Sequence, residues 1–170
     1  KEFTLQDIKW FFDLMKQENM EWYIDGGWGV DVLLGEQTRR HGDLDIALPA
    51  QHSKQLRNIL KTQGFTETPR SDSWEHNYVM SDGRRDIDIH TYELNEDGTN
   101  KRGVAYEARH LTGSGRLSGR EFRTIPPDIM VEFHAGYEVD ADDWHDVKRL
   151  CAKYTIPIPK DYEIFQRKQS

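Results

Sequence analysis

Two short acidic runs in the 170-residue chain carry the residue types that could do chemistry. The first is Asp43-Leu44-Asp45-Ile46 and the second is Asp86-Ile87-Asp88-Ile89-His90. On an extended strand, residues i and i+2 point to one face. Asp43 and Asp45 therefore project together, as do Asp86, Asp88 and His90, with the intervening Leu and Ile residues turned the other way. Carboxylates a few ångströms apart repel unless a proton, a cation or solvent relieves them. A lone Asp-x-Asp is more often a solvated outer face than a site. A second acidic strand changes the balance, because two such strands side by side gather three or four carboxylates, a donor set suited to a hard cation such as Mg²⁺. Two such ions can clamp the attacking and leaving oxygens of a phosphoryl displacement. His90 reads equally as a structural hydrogen-bonder and as a functional group. No His-x-x-x-His or paired-Cys spacing suggests zinc.

Upstream, Gly26-Gly27 lies between a short apolar run and a helical pattern. Amides at a helix N-terminus point at an anion, and glycine lets a ligand approach the backbone. Arg39 and His41, just before the first acidic pair, add groups able to neutralise phosphate oxygens. The stretch is neither a Walker loop nor a Gly-x-Gly-x-x-Gly fingerprint.

The elements that must position these residues follow from periodicity. Thr4 with Asp7, then Leu5, Ile8, Phe11, Phe12 and Met15, predicts a helix over about 4–18. Trp22-Tyr23-Ile24 reads as a strand, 28–34 as a helix stopped by Gly35, 43–48 as a strand ended by Pro49, and 51–62 as a helix. Residues 77–80 and 85–92 read as a hairpin around Asp82-Gly83. A polar loop follows at 95–103, then loops with a short strand over 113–125, then helices at 128–137 and 140–154 with a Pro-punctuated tail. This order predicts an α+β fold with a mixed sheet, a core over 1–125, and a helical C-terminal portion over 126–170 with no clear linker.

Composition narrows the function. The chain is 36% hydrophobic and 31% charged, with 30 acidic against 23 basic residues and a net charge of -7. That balance disfavours nucleic acid as a partner, since such binding rests on neutralising phosphates. No run of apolar residues is long enough to span a membrane, and the first residues lack the pattern of a signal peptide, so a cytoplasmic location is expected. The lone Cys151 forms no internal disulfide.

Taken together, the Gly-Gly turn, the Asp-x-Asp and a third Asp on a later strand resemble the polymerase-beta-like nucleotidyltransferase superfamily. Within it, "DGGWGVDVL", the run Arg39-x-His41-x-Asp43-x-Asp45 and "DIH" at 88–90 look like the small lincosamide nucleotidyltransferases. "LNEDG" at 94–98 and "FHAGYEVDADDWHDVK" at 133–148 extend the likeness over most of residues 5–150. Aminoglycoside adenylyltransferases share these features more loosely. The resemblance implies a mixed sheet flanked by helices and transfer of AMP from Mg²⁺-ATP to an antibiotic hydroxyl. It implies that Gly26 and Gly27, with Arg39 and His41, hold the triphosphate. It assigns Asp43 and Asp45 to the metal, two ions in all, and Asp88 as third carboxylate, either metal ligand or base. A homodimer that completes the acceptor pocket is a further arrangement found in such enzymes. Asp86 departs from the pattern, where an uncharged residue is usual, and residues 102–123 match poorly. Trp74, Tyr92, Glu93, Tyr137 and Trp144 are candidates for lining the acceptor site, each also readable as packing or surface. An aminoglycoside acceptor, a non-catalytic nucleotide-binding relative and a purely structural protein stand as the other readings.

Overall fold

A computed structural model describes residues 1–169, and Ser170, the last residue of the expected C-terminal portion, lies outside them. Eight strands form one mixed sheet: β1 (Tyr23–Asp25), β2 (Leu44–Pro49), β3 (Thr66–Glu67), β4 (Asn77–Ser81), β5 (Asp86–Leu94), β6 (Asn100–Gly103), β7 (Gly113–Leu117) and β8 (Arg120–Thr124). The order across it is β3-β4-β5-β2-β1-β8-β7, with β6 added to the far end of β5. β2 runs parallel to β5 and antiparallel to β1. The α+β class with a mixed sheet is therefore as expected.

Strand alternation divides the molecule. Ile24, Leu44, Ile46, Leu48, Ile87 and Ile89 turn to one face, where they pack with Ile8, Phe11 and Met15 of α1 (Leu5–Gln17) and Leu56 and Leu60 of α3 (Ser53–Thr62). Tyr23, Ala47 and Tyr92 turn to the opposite face. There they join Val30 and Leu33 of α2 (Gly26–Leu34), Met130 of α4 (Pro127–Phe133) and Val147 and Leu150 of α5 (Ala141–Tyr154). The chemistry-bearing carboxylates occupy this second face.

α1 begins with a reciprocal cap: the Thr4 hydroxyl accepts from the Asp7 amide, and the Asp7 carboxylate accepts from the Thr4 amide at 2.8 Å. Arg84 adds a bidentate pair to Asp7, both contacts at 2.8 Å.

Several boundaries differ from the periodicity. The apolar strand includes Asp25, and α2 starts at Gly26 itself, because Asp25 caps it by accepting from the Gly26 amide. Asp43 lies one residue before β2. The polar stretch 95–103 contains β6, held by backbone pairing that needs no apolar alternation. Residues 113–124 form a full hairpin, β7–β8, rather than one short strand. α4 stops at Phe133 rather than 137, where the chain turns through Gly136 at φ 85°. The tail includes a further helix, α6 (Glu163–Gln169).

Candidate metal and nucleotide site

Pairing brings the two acidic runs together. Asp45 is flanked by Asp25 of β1 in antiparallel register and by Asp88 of β5 in parallel register. Asp45, Asp88 and His90 each place a ligand atom within 4.8 Å of the others. Asp43 sits at the mouth of β2, outside that triplet but close enough to be repelled by it. Burial and then the Asp88 charge push the Asp43 carboxyl above its ordinary range. Burial, reinforced by Asp43 and Asp88, pushes Asp45 well above it. Burial works to lower the His90 imidazole, but the neighbouring carboxylates, Asp88 foremost, overcome it and lift it to about 9.

A divalent cation fits this group on one specific ground. Asp88 Oδ1 is buried with no hydrogen bond to it, and the His90 Nε2 lies 3.2 Å away as an ion-pair contact. An orphaned carboxylate oxygen facing other carboxylates is the donor set a hard cation takes. Asp86, on the same face, is not orphaned. Lys1 Nζ lies 3.1 Å from both its oxygens, and Arg70 Nη2 lies 3.5 Å from one of them.

The glycine pair is built against the same group. Gly26 takes φ 61°, and a Cβ there would overlap the Asp45 carboxylate, so the first turn of α2 lies directly on the acidic strand. A Cβ on Gly27 would come within 2.6 Å of Arg39 Nη2 and of His41 Nδ1. Gly27, Arg39 and His41 are thus mutually adjacent at the N-terminus of α2. Arg39 is pinned to the C-terminal portion by a bidentate pair with Asp146 of α5, at 2.9 and 2.8 Å. His41 is buried against the Trp28 ring, 4.5 Å between centroids, with Nε2 held by Asp31 Oδ2 at 2.5 Å and Nδ1 toward Gly27.

Asp25 and Asp31 are expected from the sequence only to support the glycine turn and α2, and Arg70 escaped sequence reasoning altogether. Asp25 caps α2 and accepts from Tyr106 Oη at 2.7 Å; an Asp directly before a glycine-opened helix is a readable capping signal. Asp31 also accepts from Thr38 Oγ1 at 2.5 Å, and no linear pattern announces that its partners lie seven and ten residues on. Arg70 comes from a loop with no motif.

Further along the same sheet face, a cleft of about 540 Å³ is lined by Glu21, Tyr23, Tyr92, Glu93, Leu94 and Leu111 among others. Tyr92 and Glu93 of the acceptor candidates line it. Trp74 and Tyr137 are exposed elsewhere, at 52% and 48%. Trp144 is core, stacked near Tyr162 and Phe165.

A family model described as aminoglycoside-2''-adenylyltransferase matches residues 7–150. A lincosamide resistance protein of Staphylococcus haemolyticus is 29% identical over 157 residues, 86% of this chain and 94% of that protein. The crystal structure of the lincosamide antibiotic adenylyltransferase LnuA, lincomycin-bound, superposes with a TM-score of 0.77 at 26% identity, covering 92% of this chain and 100% of LnuA. The structure of ANT(2")-Ia in complex with adenylyl-2"-tobramycin shares the fold, with a TM-score of 0.67 at 17% identity over 94% of each chain. With a match that runs from α1 almost to the end of α5 and takes in every residue of the acidic site, the chain belongs to the aminoglycoside-2''-adenylyltransferase family of nucleotidyltransferases.

Proposed function

We propose that the protein transfers AMP from Mg²⁺-ATP to a hydroxyl of a lincosamide antibiotic and releases pyrophosphate. The observation that carries this reading is the register Asp25–Asp45–Asp88 across three adjacent strands with the glycine turn of α2 laid on Asp45. It puts a carboxylate cluster beside an anion-binding helix end, the two halves of a site for a metal-bound polyphosphate. The lincosamide acceptor is supported by the near full-length likeness to a lincosamide resistance protein and to LnuA.

Asp43, Asp45 and Asp88 would hold the metal, two ions in the full assembly. When bound, Mg²⁺ neutralises charge on the α-phosphoryl group and the leaving pyrophosphate. The chain's own residues do the rest. The Gly26 and Gly27 backbone receives the triphosphate at the end of α2. His41, fixed by Asp31, presents Nδ1 to that end, and Arg39, braced by Asp146, adds positive charge beside it. The acceptor hydroxyl oxygen bonds to the α-phosphorus while the bond from that phosphorus to the bridging oxygen of pyrophosphate breaks. The hydroxyl proton passes to the Asp88 carboxylate. The cleft lined by Tyr23, Tyr92 and Glu93 offers apolar area and acidic groups to a cationic antibiotic, on the same face as Asp88. With ATP as donor, a cytoplasmic location is the expectation of this reading.

The family description favours a second reading, an aminoglycoside acceptor. Both are tested by incubating the protein and Mg²⁺ with lincosamides and aminoglycosides, each with the four nucleoside triphosphates in turn, followed by mass spectrometry. The expected product is a lincosamide heavier by one AMP group. A gain on aminoglycosides alone replaces the acceptor, and no gain on any antibiotic overturns the reading.

A further inference from the structure

Arg70 belongs to no motif, yet the structure brings it over the carboxylates from the loop between β3 and β4. Its backbone is fixed by a local turn: the Arg70 amide donates to Ser73 Oγ at 2.8 Å, and the Ser73 amide returns to the Arg70 carbonyl at 3.1 Å. The guanidinium then straddles two acids, with Nη2 3.5 Å from Asp86 and Nη1 3.7 Å from Asp88. Neither contact is as short as a charge-assisted hydrogen bond, about 2.7–2.9 Å.

Two other arginines of this chain behave differently. Arg84 closes on Asp7 with two contacts of 2.8 Å, and Arg39 closes on Asp146 at 2.9 and 2.8 Å. Each of those forks closes on one carboxylate, although Arg39 Nη1 also lies 3.8 Å from Asp142. Arg70 is half-exposed and closes on neither of its two. Asp86, moreover, does not depend on Arg70 for its charge balance, because Lys1 Nζ already sits 3.1 Å from both its oxygens. The pair Asp86–Lys1 forms a neutralised ledge beside the metal carboxylates, and Arg70 rests at its edge with its planar donors toward Asp88.

We propose that Arg70 is a phosphate-binding residue of the donor site, positioned by Asp86, that takes the pyrophosphate portion of the nucleotide. This deepens the nucleotidyl-transfer reading and rests on it. A guanidinium fork matches phosphate oxygens in a way that a point charge does not. It also stabilises the charge that builds on a departing pyrophosphate. The role explains why this chain carries a further acid at position 86. Asp86 is a positioning residue that keeps the loop arginine over the site, and it is not a metal ligand.

Titration calorimetry of magnesium pyrophosphate, magnesium-ATP and lincomycin into the full chain and its variants tests this. Arg70→Gln is expected to weaken magnesium pyrophosphate and magnesium-ATP by about tenfold or more, the size of a lost hydrogen bond to a charged group. Lincomycin affinity and the melting temperature should stay as in the parent. Arg70→Lys should recover part of the loss, and Asp86→Asn should weaken pyrophosphate in the same direction by a smaller factor. Unchanged or tighter pyrophosphate binding by Arg70→Gln, in a parent that binds both ligands, overturns the Arg70 role alone and makes it a counter-ion of the acids. An equal fall in lincomycin affinity also overturns it. A parent chain that binds neither magnesium pyrophosphate nor magnesium-ATP overturns the nucleotidyl-transfer reading together with the inference built on it.

Discussion

Asp7 and Asp45 are the same residue type in opposite circumstances. Asp7 closes the cap of α1, accepts from the Thr4 amide and hydroxyl, and takes both arms of Arg84. Burial works to raise it, but those donors win and hold its carboxyl down, to about 2. Asp45 is flanked by Asp25 and Asp88, pressed against Gly26, and held well above the ordinary range by burial and by its acidic neighbours. One carboxylate is surrounded by donors and stabilises the fold. The other faces Asp25, Asp43 and Asp88, is only partly offset by His90, and carries a cost that a cation or a proton relieves. Perturbed acids cluster at functional sites, which is why Asp45 and not Asp7 is the candidate for a ligand.

The sharpest way to break this contrast is Asp45→Asn, which keeps the shape and removes the charge. Transfer should fall on the order of 10³-fold or more in kcat, since metal-assisted charge stabilisation is worth several kcal/mol. Without divalent cation, the melting temperature should rise at neutral pH. The sign follows from linkage: a carboxyl raised in the fold contributes stability below its ordinary value of 3.8 and loses it as pH rises through the raised value. The advantage of the Asn variant should therefore be small near pH 4 and grow toward pH 7, read by thermal melts across pH. A variant less stable than the parent at neutral pH would erase the distinction between the two acids.

Gly26→Ala comes next. A Cβ there meets the Asp45 carboxylate, and φ 61° is left-handed backbone, so both the site and the fold are disturbed. The expected result is about 2 kcal/mol of destabilisation by denaturant unfolding and roughly 10²-fold lower kcat in the folded fraction. Gly83, also at positive φ but with nothing within 4 Å of a Cβ, supplies the control: its Ala variant should lose stability alone.

The contrast also explains what the sequence revealed. The shared face of Asp43 and Asp45, and of Asp86, Asp88 and His90, was readable because a period of two with apolar partners declares a strand face. The Gly26-Gly27 turn gains meaning only beside the acidic strands, because many strand-to-helix turns carry glycine. The α1 cap was plain from Thr4 and Asp7. Local pattern did not reach what depends on long-range pairing. Arg84 on Asp7 and Arg39 on Asp146 join residues 77 and 107 positions apart, and charged side chains carry no periodic signal for such partners. The β6 strand and the β7–β8 hairpin were under-read for a related reason. Their residues are polar and half-exposed, so backbone pairing rather than burial defines them.

The structural side of the comparison is tested by smaller effects. Asp7→Ala removes the cap and the Arg84 pair together and should cost about 2 kcal/mol by urea unfolding, with kcat of the folded protein unchanged. Thr4→Ala leaves Arg84 its partner and removes only the hydroxyl, with its cap on the Asp7 amide and its bond to the Asp7 carboxylate, so about 1 kcal/mol is expected. Their pH dependence should separate them. Because the fold lowers the Asp7 carboxyl from 3.8 to about 2, its contribution is present above pH 3.8 and is lost as pH falls through about 2. The deficit of Asp7→Ala should hence shrink on acidification across that window, opposite in direction to the Asp45→Asn gain, which belongs to rising pH. The Thr4 hydroxyl does not titrate, and its bond to the Asp7 amide persists whatever the carboxyl does, so the Thr4→Ala deficit should fall by less over the same window. Equal slopes for the two variants would mean that Arg84 contributes nothing to Asp7's depressed acidity, and the donor-rich description of this end of α1 would fail.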